Sequence, residues 1–141
     1  MNKTQFSIVL ANRSGELASV AEVLAEAQVN VEALSISDGV HIGVLKIVVS
    51  DPAAARAAFR QANIGFHEQD VLAVPVPNRP GAIAQLCAKL AAAGHSIDYV
   101  YGSACDCTGE KTASCQPVLI LAVSDRTAVD ALKLAALWPG P

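Results

Sequence analysis

The chain is poor in aromatic and charged side chains, which make up 4% and 16% of its 141 residues. Its ten Lys and Arg residues are scattered, with no run and no interleaved aromatics, and the formal charge is −3. A nucleic-acid partner is therefore not expected, because phosphate binding needs clustered cations. Long apolar runs are missing too. The stretch Ile8–Ala11 is ended by Asn12 and Arg13, too short for a secretory h-region, and nothing approaches the roughly 20 apolar residues of a spanning helix. No membrane association is expected, and the address is read as cytoplasmic, where the four cysteines would be reduced thiols. Catalytic signatures are absent as well: no Ser-His-Asp or Cys-His set can be assembled, and no glycine-rich loop has nucleotide-binding spacing. Carboxylates such as Glu22 and Glu26 fall on helix surfaces. The sequence thus points to no enzyme and no cofactor.

What is present is apolar and repeated. Apolar residues reach 52%, ample for a packed core. The stretch Asn12–Leu34 maps without a gap onto Asn78–Val100, 66 positions later. Asn, Arg, Gly, Ala18/Ala84, Leu24/Leu90, Ala25/Ala91 and Ala27/Ala93 coincide. A second block, Val44–Asp51, matches Val118–Asp125 at a spacing of 74, so the second copy has gained 8 residues, around 104–115. Two ordered blocks make a duplication, with units at 1–70 and 71–141.

One unit can be read twice. Phe6–Ala11 and Val71–Val76 are rich in β-branched residues and predict strands. Leu17, Val20, Leu24 and Ala27 recur at helical spacing, as do Ile83, Leu86, Leu90 and Ala93. Val31–Ser37 and Ile97–Ser103 predict the next strands, and Asp38-Gly39 turns the first copy into Val44–Val49. Asp51 and Asp125 sit at N-cap positions before helices starting near Pro52 and Arg126. Phe66–Asp70 supplies a fourth strand. The expected fold is α+β: two ferredoxin-like βαββαβ units in tandem, with antiparallel sheets and helices on one face. The first and third strands of each unit are expected in the centre, parallel to each other. Pro139, Gly140 and Pro141 cannot form a last strand in the second copy, which would leave the edge at Val71–Val76 to be covered by another chain or the linker.

The repeated turns, "NRSG" and "NRPG", carry the chemistry. Glycine between strand and helix lets a ligand approach the backbone. Helix-start N–H groups around Gly15, Glu16 and Leu17, and around Gly81, Ala82 and Ile83, form a site for a carboxylate. The side-chain oxygens of Asn12 and Asn78 can accept from an ammonium group. A free α-amino acid needs both. Simple helix capping by Ser14 or Asn12 is the competing reading.

The element order, these two turns and the Asn30-Val31 pair after the first helix together resemble the ACT domain, known from amino-acid-regulated enzymes. The resemblance covers the whole chain as two ACT units with no catalytic domain. It implies an amino-acid-binding regulatory protein, acting as a homodimer or on an unidentified enzyme or regulator. It further implies that the ligand is held between the two ACT units, each site being finished by residues where the neighbouring unit's helix passes into its second strand. Here these are Asn30 and Val31 in one copy, Ser96 and Ile97 in the other. Ser96 departs from the Asn30 pattern, so two unequal sites are expected. Val31, Ile97 and Leu17 suggest an apolar wall.

Cys105, Cys107 and Cys115 fall in or beside the insertion. With His95 or Asp106 they could bind a metal or switch by disulfide formation, but their spacing fits no standard zinc knuckle. A metal- or redox-sensing role is thus one alternative, and a structural accessory subunit of an enzyme another. Cys87 aligns with Ala21 and is expected to pack as a small hydrophobe. His41 is read as a hairpin residue, His67 as an edge-strand residue, His95 as structural, and Phe59 and Trp138 as anchors for a sheet or dimer surface.

Overall fold

The computed structural model describes residues 2–37, 39–103 and 117–124. It divides into two compact units, one of Thr4–Asp70 and one of Val71–Pro141 together with Met1–Lys3. The first unit holds most of β1 (Asn2–Ala11), then α1 (Glu16–Glu26), β2 (Val31–Ser37), β3 (Ile42–Val49), α2 (Pro52–Gln61) and the start of β4 (His67–Pro75). The second holds the rest of β4, then α3 (Ala82–Ala92), β5 (Ile97–Gly102) and β6 (Val118–Val123). Phe66–Asp70 and Val71–Val76 thus join into one unbroken strand rather than two.

Strand order in the first unit is β2-β3-β1-β4. The central neighbours β1 and β3 are antiparallel, with Phe6 opposite Ile47 and Ile8 opposite Leu45. In the second unit β4 and β6 are likewise antiparallel, with Leu72 opposite Leu121. The expectation of parallel central strands is corrected here, and connectivity gives the reason. A helical crossover returns β2 parallel to β1, and the hairpin then reverses β3, which inserts between them.

The second unit has the order β1-β4-β6-β5, β1 contributing through its first residues. The expected open edge at Val71–Val76 is therefore closed, by the chain's own N-terminal strand. Any last strand of the second copy, the helix after Asp125, Trp138 and the insertion lie outside the described residues.

Alternation along β1 and β3 builds the first core. Phe6, Ile8, Leu10, Leu45, Ile47 and Val49 point to one face and meet Val20 and Leu24 of α1 and Ala55 and Phe59 of α2. Phe6, Phe59 and Phe66 pack with ring centroids 5.3–5.7 Å apart. Phe59 is thus a core residue of its own unit. The second core is aliphatic: Leu72, Val74, Val76 and Leu121 against Ala82, Leu86 and Leu90 of α3.

Helix ends follow local chemistry. Asp51 caps α2 by accepting from the Ala54 N–H at 3.0 Å, with Pro52 in the first turn. The three described helices end in the same hydrogen-bonded turn; after α1 the Gln28 and Val29 N–H groups donate to Ala25 and Leu24. That turn places Gln28 at φ 57°, Asn63 at 54° and Gly94 at 78°. Glutamine is the least suited of these to the left-handed region. Gln28→Gly keeps the backbone bond to Ala25 and loses only the one from its side-chain amide to the Ala25 carbonyl, and should stabilise the protein by about 0.5–1 kcal/mol, a gain that thermal unfolding would show. Between α2 and β4, Arg56 donates twice to Glu68, at 2.6 and 2.7 Å, which holds the Glu68 carboxyl below its ordinary pKa.

Cys87 is exposed, contrary to its expected packing. The buried stripe of α3 is Ala82, Leu86 and Leu90, and the residue after Leu86 is turned about 100° from it. His95 is half-buried at the helix end, its N–H bonded to Leu90, where the first copy buries Val29.

Candidate functional site: two strand-to-helix turns

Gly15 and Gly81 are the residues at which α1 and α3 begin, with φ of 89° and 87°. Both lie in the left-handed region that an L side chain resists. An added Cβ at either glycine would meet nothing within 4 Å, so backbone conformation demands the glycine and the space above it is open. Neither helix has a side-chain cap bond at its start. The capping reading of Ser14 and Asn12 is thereby set aside, and the first N–H groups lack the usual side-chain acceptor.

The two turns repeat bond for bond. Arg13 donates its N–H to Ala11 and Arg79 to Pro77, both at 2.8 Å. Glu16 donates to Arg13 and Ala82 to Arg79, while Ser19 donates to Gly15 and Gln85 to Gly81. Every pair is separated by the sequence repeat, so the duplicated spelling is a duplicated backbone.

A cleft opens beside each turn. The first, about 130 Å³, is lined by Leu10–Arg13, Glu16 and Leu17 from the turn side and by Ile36, Ser37, Gly39 and Gly43 from the hairpin side. The second, about 230 Å³, is lined by Val76–Arg79, Ile83, Gly102 and Pro117–Leu119, largely the equivalent positions. In the first, the Asn12 side-chain N–H group reaches the Gly39 and Val40 carbonyls at 3.5 Å, and its backbone N–H donates to His41 at 3.0 Å. This leaves the side-chain oxygen as the free acceptor. Gly39 is required there because an added Cβ would run into the Ile42 carbonyl oxygen. Arg13 donates to Glu16 at 2.7 Å.

Of the sequence-derived candidates, Asn12, Glu16 and Leu17 line the first cleft, and Asn78 and Ile83 the second. Ser14, Gly15 and Gly81 shape the turns, and Ala82 is buried beneath its turn. Asn30 and Val31 sit at the far end of β2 from Ser37, roughly 20 Å along the strand; the Asn30 backbone is held by Ser50. Ser96 and Ile97 occupy the same place in the second unit, where Ser96 accepts from the Ser124 N–H. Within one unit these four do not line the cleft at the turn. Leu17 and Ile83 are 38% and 56% exposed, so the first position of each apolar stripe walls a cleft rather than filling the core. Sequence reasoning overlooked Arg13 and Arg79 as lining residues, although both stand inside the repeated motif. The candidate metal ligands Cys105, Cys107 and Cys115 lie outside the described residues.

A larger groove of about 440 Å³ lies between α1 and α2, lined by Val23, Glu26, Ala27, Ala58, Gln61 and Ala62. Size alone would favour it, but it offers one carboxylate, one amide and no cation. The turn clefts have convergent polar groups against apolar walls, which is what a small-ligand site requires.

A duplicated ferredoxin-like unit, with an uncapped start to its first helix in both copies, is typical of paired small-molecule-binding regulatory domains. The chain belongs to the family described as the ACT domain pair, which matches residues 1–111. Among solved structures it is similar to protein BT0572 from Bacteroides thetaiotaomicron, with 33% identity, a TM-score of 0.81 and coverage of 94% of this chain and 88% of that one. It also resembles the regulatory subunit of aspartate kinase from Thermus thermophilus, at 17% identity and a TM-score of 0.63 over 96% of this chain and 91% of that one. The corresponding subunit from Thermus flavus gives 18% and 0.57, over 96% and 91%. These last two are likenesses of fold. No curated protein matches the sequence. Among the described residues no helix is long and apolar enough to cross a membrane.

Proposed function

We propose that this chain is a non-catalytic regulatory protein that holds a free amino acid at its strand-to-helix turns and signals to a partner. The observation that carries this reading is the bond-for-bond repetition of an uncapped turn beside an open cleft. A free α-amino acid offers a carboxylate for the helix-start N–H groups and an ammonium for the Asn12 or Asn78 oxygen. Leu17 and Ile83 supply apolar walls. Asn30, Val31, Ser96 and Ile97 would complete such a site only when presented by a different ACT unit from the one owning the turn. A second copy of the chain would bring such units, which favours a homodimer.

Ligand binding would then act by population shift: an amino acid gripping both turn and neighbour favours the assembled state by its differential affinity. The recipient is an enzyme or regulator in the same compartment, read from the sequence as the cytoplasm. Similarity of fold to regulatory subunits of aspartate kinase supports this role. A thermal-shift screen of the folded protein against the twenty amino acids should raise the melting temperature with one or a few. At 100 times Kd the stabilisation is about 2.7 kcal/mol per site. No shift with any of the twenty would sink the reading.

A further inference from the structure

The two turn clefts differ in charge, and the difference rests on one position of the repeat. Where the first copy has Glu16, the second has Ala82. Glu16 lines the first cleft and binds Arg13 at 2.7 Å, so the cation there is already paired with a carboxylate. Ala82 is 1% exposed and part of the second core, and no carboxylate lines the second cleft among the described residues. Arg79 lines that cleft, and no described carboxylate pairs with it. Beside it stand the Asn78 amide and the apolar side chains of Val76, Ile83 and Leu119.

We infer that the second cleft selects an amino acid whose side chain carries a carboxylate, while the first takes one with a neutral side chain. The inference rests on the amino-acid-binding reading above and names the ligand class of its second site. An acidic amino acid has one more anionic group than the α-carboxylate the turn itself addresses. A guanidinium that no described carboxylate pairs with can meet it with paired, planar hydrogen bonds. In the first cleft the same ligand would have to displace Glu16 from Arg13 and would lie beside its negative charge. The second cleft, about 230 Å³ against about 130 Å³, also has more room for a longer side chain.

The test uses isosteres that differ only in charge. The isotope-labelled full chain is titrated with glutamate against glutamine, and aspartate against asparagine, following the backbone amides of Gly15 and Gly81 by NMR. At Gly81 the acidic member of one pair should saturate at about tenfold lower concentration than its amide. Arg79→Gln should erase that preference without unfolding an exposed position. At Gly15 no acid preference is expected, and Glu16→Ala should create one by freeing Arg13. Equal affinity for acid and amide at Gly81, or a preference that survives Arg79→Gln, overturns the inference. So does silence of Gly81 towards all four while other amino acids shift it, an outcome that leaves the binding reading standing. Silence of both glycines towards every amino acid overturns the two together.

Discussion

Valine in place of both Gly15 and Gly81 abolishes amino-acid binding in this account, and either single change removes one site. Both glycines sit near φ of +90°, where an L residue costs about 1–2 kcal/mol and a β-branched one more. The chain can relieve that strain only by reshaping the turn, which would turn the first N–H groups of α1 or α3 away from the cleft. The double variant should remain folded, with a lowered melting temperature, and show no saturable heat on titration with the amino acid the screen selects. Asparagine at Gly15 is the informative control, since it tolerates the left-handed region yet puts a side chain into the open space. It should keep the turn and still weaken binding. Unchanged affinity in the double valine variant would place the ligand elsewhere.

Phe59→Ala should be the most damaging single core substitution. Phe59 is fully buried on α2, edge-on to Phe6 at 5.4 Å and 5.7 Å from Phe66. Truncation leaves a cavity bounded by two rings that cannot collapse far, because Phe6 is fixed in β1 by its pairing with β3. The cost should be about 3–5 kcal/mol, a large part of the stability of a small domain. That corresponds to a fall in melting temperature of roughly 10–20 °C. A loss below about 1 kcal/mol in chemical denaturation would mean that the aromatic cluster does not hold this core together. Leu86→Ala tests the aliphatic core of the second unit in the same way.

The repeat made much of the fold legible, because each element could be read twice. Val31–Ser37 and the Asp51 cap stand in the structure where the pattern put them. The failures have separate physical causes. Strand β1 starts at Asn2 rather than Phe6, because Asn2, Lys3, Thr4 and Gln5 show no apolar alternation to announce a strand. Its first residues close the second unit, a long-range pairing that no local signal reveals. Strand direction was misread because the apolar pattern fixes which face is buried, not which way the chain runs.

At the site, periodicity gave Leu17 and Ile83 the same standing as Val20 and Leu86. An apolar residue at helical spacing can pack into a core or line a cleft, and the spacing is the same. Arg13 and Arg79 were passed over because an arginine in a turn is an ordinary surface residue until its partner is known. The partner is what separates them: Glu16 one turn ahead of Arg13, buried Ala82 at the same place after Arg79. That contrast is visible in the aligned repeat, but its meaning needed the two clefts.

The most direct measurement is a crystal structure of the protein with the amino acid that stabilises it. The account predicts the ligand carboxylate against the first N–H groups of α1 or α3, its ammonium at Asn12 or Asn78, and its side chain along Leu17 or Ile83. A ligand seated instead in the larger groove between α1 and α2, among Val23, Ala27 and Ala58, would contradict it.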